Sequence, residues 1–524
     1  MALGQVNPIV SAPTVARSRR TTSSLVLSCI LLLGIGGRAA YVYRPFDYRV
    51  VSYWHQADDL AIARNFYREG MNIFYPRIDW RGDTPGYAEM ELPLLPWMGA
   101  ALYRVFGMHV QVLRALTAAF EFGSLLLFAG FARQLLPPTA AMFAIAAFSF
   151  NPLLIVLATT IQPEPLMHFF SLLAMVLIWR WSGGGNFRTL LAASMALAVA
   201  ILCKLPALAL ALVFAYFVIR RLGARAFTDR RMYIAGAVAF LPPLAWYVWA
   251  YRFWVLYGNS LGVTNESHFL GWDLLMPPKF LLGILGLETV LVFTPVGWLL
   301  MLAALRLPWQ RVERLVVWYA AVFLFYVVTS RTTGARWAFY YHVLSVAPGC
   351  LLMGVGVTAL GRGEIFRDGW AWLTQRQQRL GELLAAGTLV ALFFLIGVSI
   401  YRRDRTTEER ETIPMYTCAL QFAAHVPVSS RIVVNGGVSS DNNGHAIAHN
   451  DPMMFAWMDR KGFNYPDEDL SIATLDAIAA RGGRYWVVQR RELARGNLEQ
   501  QADARYRRLA ACDNAYYLYD LRAK

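Results

Sequence analysis

For about 400 residues, long apolar runs alternate with short polar connections, and then the pattern changes. Apolar segments fall near 23–43, 109–132, 138–158, 165–181, 189–203, 206–220, 232–256, 280–305, 314–330, 338–360 and 382–400. Most approach the roughly twenty residues a helix needs to cross the hydrocarbon core of a bilayer. They predict a polytopic α-helical membrane protein with about 11 transmembrane helices. One long polar interval, residues 44–108, interrupts the series after the first segment. Within it, LAIARNFYREG places Leu60, Ala63, Phe66 and Tyr67 at helical spacing, with Gly70 as the stop. LPLLPWMGAALYRVFG, residues 92–107, is short and proline-started, which predicts a helix lying in the membrane interface.

The tail, residues 401–524, has no span-length apolar run. RIVVNGG (431–437), RYWVVQ (484–489) and AYYLYDL near the end predict strands, and LSIATLDAIAARGG (470–483) predicts an amphipathic helix. Alternating strand and helix predict a small α/β domain. The division expected is therefore 1–400 for the membrane unit, including loop 44–108, and 401–524 for the soluble unit.

Composition supports this and adds an orientation. The chain is 57% hydrophobic and 16% charged, which excludes an ordinary soluble protein. Its 49 basic and 34 acidic residues leave a net charge of +15. The arginines cluster in alternate short loops (Arg133; Arg180 and Arg188; Arg220 to Arg231; Arg306 to Arg314; Arg362 to Arg379), where positive charge sets topology. That placement argues against nucleic acid as a partner. With an N-terminus inside and an odd number of spans, loop 44–108 and the tail lie outside the cytoplasm. Of five cysteines, Cys29, Cys203 and Cys350 fall in or beside apolar runs. Cys418 and Cys512 lie in the tail, and their spacing leaves open whether they pair.

The same topology sorts the polar residues that carry chemistry. Asp58, Asp59 and Glu91 lie in the first outer loop, Glu164 at the next outer turn and Lys204 at the one after. His268 lies in outer loop 257–279, and Arg331 and Arg336 in outer turn 330–337. Ionisable groups at membrane depth are costly and usually functional, and all of these fall on one side. Each also has a bland reading. An aspartate can cap the helix starting near Leu60, Glu91 can face the positive end of the next helix, Lys204 can snorkel, and a lone loop histidine is more often structural. Asp58 and Asp59 point about 100° apart on a helix. Asp58, which shares a face with His55 and Ile62, is the one expected to look into the groove.

These motifs (ADDLAIARNFYREG, EMELPLLPW, QPEPLMHFF, the KLP of Lys204 and RWAFYYHVLSVAP at 336–348) together resemble the polytopic GT-C glycosyltransferases. The resemblance is to the bacterial relatives of protein O-mannosyltransferases and of the aminoarabinose transferase that modifies lipid A. It covers most of residues 45–350 and implies a GT-C membrane domain with an extracytoplasmic α/β domain. It also implies a bacterial inner-membrane location and a sugar transferred from a polyprenyl-phosphate carrier to an outward-facing lipid, glycan or protein acceptor. Asp58, Asp59 and Glu164 then become catalytic candidates, and Lys204, Arg331 and Arg336 candidates for the donor phosphate. Glu91 and His268 become candidate ligands for a divalent metal (zinc, magnesium or manganese). Aligning on Ile62-Ala63-Arg64 puts His55 where relatives commonly have their acid, so Asp58 or Asp59 fills that role from a turn further on. Two other classes stand beside the enzyme: a lipid-linked glycan transporter or flippase, and a non-catalytic glycan-assembly protein. A transporter needs polar residues through the middle of several spans, whereas these gather at one surface.

Overall fold

A computed structural model describes residues 20–49, 53–263, 272–275, 277–361, 412–440, 451–494 and 496–523, with the isolated positions Ala391 and Leu395. Apart from those two positions the expected span 382–400 lies outside the described residues, as does the candidate ligand His268. The helices begin with α1 (Arg20–Val42), α2 (Tyr53–Glu69), α3 (Leu94–Phe106), α4 (Val110–Leu135) and α5 (Pro138–Ser149). Next come α6 (Pro152–Leu157), α7 (Glu164–Ser182), α8 (Phe187–Cys203), α9 (Leu210–Leu222) and α10 (Arg230–Tyr257). They continue as α11 (Trp272–Leu275), α12 (Pro278–Leu287), α13 (Thr294–Ala304), α14 (Trp309–Val328), α15 (Ser330–Thr333) and α16 (Val343–Gly361). A π-helical turn, Glu288–Phe293, joins α12 to α13, and 3-10 segments Leu205–Ala209 and Arg336–His342 lead into α9 and α16.

Among the described residues six helical stretches are long and apolar enough to cross a membrane, and the protein is a multi-pass membrane protein. The spans start where the sequence supplies a cap or a proline. Asn151, Asn186 and Asp229 each accept a bond from a first-turn amide, and Pro138, Pro152, Pro165 and Pro278 fill first-turn positions that need no amide donor. Glycine fixes one crossing: a Cβ on Gly99 would come within 1.9 Å of the Leu113 side chain, so α3 and α4 pack this closely only with glycine there.

Interval 44–108 folds as α2, a short hairpin and α3. The hairpin is drawn together by the Ile78 amide to Gly86 O at 2.9 Å and the Ala88 amide to Pro76 O at 3.2 Å. It then docks beyond the end of α10, through the Glu89 amide to Asn259 O at 3.0 Å and the Leu261 amide to Glu89 O at 2.9 Å.

The tail contains a five-stranded sheet of order β2-β1-β3-β5-β4, with β1 Arg431–Asn435, β2 Gly462–Tyr465, β3 Gly483–Gln489, β4 Tyr506–Cys512 and β5 Tyr516–Ala523. β2-β1-β3 pair in parallel and β3-β5-β4 antiparallel. β2 and β4 were not expected from the sequence. GFNY is only four residues, and YRRLAAC carries two arginines on an edge strand.

Alternation along the strands gives the sheet two apolar faces. Val433, Trp486, Val488 and Tyr519 pack with Leu475 and Ile478 of helix Ile472–Ala480. Ile432, Val434, Tyr485, Val487 and Leu518 share one buried cluster with Ala57, Ile62, Phe66, Ile78 and Trp80 of the loop. Loop and tail therefore have a common core, with polar ties around it. Arg68 grips Asp459 through two bonds of 2.8 Å, Arg64 donates to Ala456 O, and Gly462 exchanges backbone bonds with Asp79 and Gly82.

Cys418 and Cys512 form a disulfide across 94 residues, at the edge of this core. Reduction should lower stability by up to about 4.7 kcal/mol, the chain-entropy value for a loop of this length. Because the core is shared, thermal scans of detergent-purified protein with and without reductant should show loop 53–106 becoming protease-sensitive in the same transition as the tail. Loss of the tail with the loop still protected would contradict a common core.

Candidate active site

Four separate elements converge on the Lys204 ammonium. Lys204 follows α8 in an extended conformation (φ −166°, ψ 133°), which turns its side chain off the helix axis before the 3-10 segment. Glu164 opens α7, where an acid is favoured by the helix's positive end. The turn before it is held by Gln56 of α2, whose Oε1 accepts from the Ile161 amide at 2.9 Å. Glu91 is placed by the neighbouring Leu92 amide, which bonds Leu202 O near the end of α8 at 2.9 Å. His55 comes from α2, and Tyr340 and Tyr341 from the 3-10 segment Arg336–His342.

Lys204 Nζ donates to Glu164 in a very short contact and to His55 Nε2 at 2.9 Å, and lies 3.9 Å from Glu91 Oε1. The Tyr340 and Tyr341 ring centroids are 4.7 and 5.3 Å away, within cation–π range. Glu164 is fully buried, and His55, Glu91 and Lys204 are 6–7% exposed. An ammonium has donors only, so His55 Nε2 accepts from it and the ring proton sits on Nδ1, which faces Asp59 Oδ2 at 3.3 Å. The order Asp59–His55–Lys204–Glu164 is thus a continuous polar chain.

Asp58 and Asp59 part company here, against the expectation from the helical wheel. Asp59, one turn below His55, joins the lysine cluster. Asp58 is fully buried and accepts from the Trp80 indole at 2.7 Å, on the side covered by the hairpin. The wheel took no account of the hairpin, which covers the face of α2 that carries Asp58 and Ile62. Burial pushes the Asp58 carboxyl up to about 8, despite the Trp80 bond and His55, which act in the opposite direction. Burial also raises Asp59, to about 6, partly offset by its bond to His55.

Glu91, Glu164 and Lys204 are brought together, and Asp59 with them. Arg331 is half-buried in α15, and Arg336 is exposed at the start of the segment that carries Tyr340. Gln56, Tyr340 and Tyr341 were not expected. Their signal was the Tyr-Tyr pair opening a span, and the identity of the residue next to His55.

Polar groups also occur within the spans, where none was expected. His342 donates from Nε2 to Thr333 O at 2.8 Å and meets Glu288 through Nδ1, and Ser345 and Tyr319 donate to the same glutamate. Elsewhere, His168 meets Glu121 at 3.3 Å, and buried Arg38 donates to Gly34 O and Ser149 O. Glu288 and His342 form a closed pair that pins segment 336–342, and so fixes the tyrosines over Lys204.

For a metal, the donor types suit but the arrangement does not. Among the described residues, only Cys418, Cys512 and Asp513 bring three ligand atoms within reach of one ion, and the two sulfurs there are joined to each other. Glu91 is shared with the Lys204 ammonium. The described residues do not fit a divalent ion as they stand.

Comparison with known proteins agrees with this architecture. Residues 84–249 match the family model described as dolichyl-phosphate-mannose-protein mannosyltransferase. The fold is similar to ArnT from Cupriavidus metallidurans bound to undecaprenyl phosphate, with TM-score 0.59 and 16% identity over 97% of this chain and 99% of that one. The apo state of that protein gives 0.58 and 15%, over 96% and 98%. The oligosaccharyltransferase of Archaeoglobus fulgidus in complex with zinc and sulfate gives 0.51 and 13%, over 94% of this chain and 72% of that one. Comparison with curated protein sequences gives no significant match. The chain has the GT-C glycosyltransferase fold, a helical membrane domain followed by a small sheet-containing domain.

Two outcomes follow from the buried charges. Lys204→Met leaves Glu164 and Glu91 without their counter-charge and should cost about 3–5 kcal/mol, part of which Lys204→Met/Glu164→Gln regains. Thermal unfolding of the single and double variants tests this, and an unchanged single variant would contradict the pairing. For Asp58, the folded state holds a proton that the unfolded state releases near pH 4. Stability therefore falls as pH rises from about 4 through about 8. Asp58→Asn keeps the Trp80 bond and should flatten that decline in Tm.

Proposed function

We propose that the protein is an integral-membrane glycosyltransferase that moves a sugar from a polyprenyl-phosphate carrier to an outward-facing acceptor. The observation that carries this is the buried lysine–carboxylate–histidine cluster at one end of a bundle with the GT-C fold. The site end faces away from the cytoplasm on this reading. The arginines of the alternate loops support that, as does the Cys418–Cys512 disulfide, a bond that persists in oxidising compartments. A bacterial inner membrane suits such a carrier.

The reaction follows from the residues. The acceptor hydroxyl attacks the anomeric carbon, the bond from that carbon to the phosphate oxygen breaks, and the electron pair leaves with the phosphate. Positive charge develops on the sugar and negative charge on the leaving group. Two of the three Lys204 donors are committed to Glu164 and His55, and the third is available for the departing phosphate. Arg331 and Arg336 are the further cations assigned to it. Asp59 takes the hydroxyl proton as general base, with His55 next to it to share the charge. A carboxyl titrating at about 6 is well matched to that task, because it is ionised at neutral pH yet still basic. A single displacement inverts the anomeric centre. Glu164 holds the lysine in place, and any role of Glu91 with His268 as metal ligands would require the ammonium to give up its contact with Glu91.

The transporter reading is weaker, because the described Glu288–His342 pair is closed by its own hydrogen bonds and does not line an open path. A non-catalytic role predicts no transfer under any condition. With purified protein, a polyprenyl-phosphate sugar and a membrane extract as acceptor source, transfer should rise with pH through about 6 as Asp59 ionises. Asp59→Asn should lose about 100- to 10,000-fold, and Asp58→Asn much less. Equal losses in both folded variants would remove Asp59 as the single base.

A further inference from the structure

A cavity of about 160 Å³ lies against Trp80, the residue whose indole bonds Asp58. Three distant segments wall it: the hairpin after α2 (Trp80, Thr84), the end of α10 and the turn after it (Trp254, Tyr257, Asn259), and β2 of the tail (Phe463, Asn464). Its construction is specific. Gly82, at φ +61°, donates its amide to Gly462 O at 2.7 Å, and a Cβ there would press the Phe463 ring at 3.2 Å. Asn259 donates to Thr84 Oγ1 and Tyr87 O, both at 3.1 Å, which fixes its amide at the wall.

The lining combines aromatic faces with amide and hydroxyl groups. A sugar ring presents the complementary surface, an apolar C–H face and a rim of hydroxyls. Charge narrows the class further. The two arginines at the rim are already matched, Arg481 by Asp83 and Arg81 by Glu69, so the cavity offers no unbalanced positive charge to an anion. Its polar lining does not suit a lipid chain.

We propose that this cavity binds one neutral saccharide unit, and that the saccharide belongs to the acceptor. The binding claim stands on the cavity itself, and its assignment to the acceptor rests on the transferase reading. Trp80 connects the two regions, because its ring lines the cavity while its indole nitrogen holds Asp58. A sugar here approaches α2 from the hairpin side.

The test separates the two claims. Intact protein in nanodiscs without carrier is examined by saturation-transfer NMR with the methyl glycosides of glucose, galactose, mannose and N-acetylglucosamine. At least one should bind, with Kd of order millimolar. Trp254→Ala should weaken it about ten-fold or more and Trp254→Phe about three-fold or less, since the ring supplies the contact. Unchanged thermal unfolding shows that both variants are folded. No binding by any glycoside, or binding unaffected in Trp254→Ala, overturns the cavity proposal. In the transfer assay, Trp254→Ala should raise KM for the acceptor and leave KM for the donor, and the reverse overturns the assignment to the acceptor. Saccharide binding by a protein that transfers nothing would overturn the transferase reading while the cavity stands.

Discussion

One buried ammonium sets the terms for the rest of the structure. Removing Lys204 from water costs several kcal/mol unless its charge is answered. The answer comes from Glu164 on α7, Glu91 before α3, His55 on α2 and two tyrosines before α16. No two of these elements are sequence neighbours of Lys204, so the ammonium is satisfied only when the bundle has closed around it. Conversely, Gln56, Leu92 and the Glu288–His342 pair each tie a contributing segment to another part of the bundle. Charge pairing and helix packing thus require each other at this end of the molecule.

The aspartates show how environment differentiates identical side chains. They are adjacent in sequence and both deeply buried, yet one faces a histidine and the other an indole. The histidine side leads to a cation and the indole side to an aromatic cavity. At neutral pH Asp59 is mostly ionised while Asp58 mostly retains its proton. A single helical turn of α2 therefore presents a base to one compartment and an uncharged acid to the other.

Much of this was legible in the sequence, for a definite reason. Glu164 and Lys204 stand at the ends of apolar runs on the same predicted side, where an ionisable group is costly, and Glu91 sits in a motif with a resemblance behind it. The α/β character of the tail followed from RIVVN, RYWVVQ and the helix between them. What could not be read was anything set by one segment covering another. The hairpin over α2 reversed the preference between Asp58 and Asp59, and only tertiary contact brings Tyr340 to Lys204. Arg38, Glu121, Glu288 and His342 were hidden differently, because one polar residue in a long apolar run hardly alters its average hydropathy.

The core shared by loop and tail has a consequence for the order in which the molecule is made. Ala57 and Ile62 pack in one cluster with Cys418 and Phe422, about 360 residues later. At 5–20 residues per second, the ribosome needs roughly 20–70 s to supply the second half of that cluster. During that interval the apolar side of α2 has only its own loop to pack against, through Ile78, Trp80 and Met90. The lysine cluster draws on residues 55 to 341 and is therefore synthesised in full before the tail that finally covers the other side of α2. A nascent chain thus carries the polar cluster on a helix whose apolar face is still partly open.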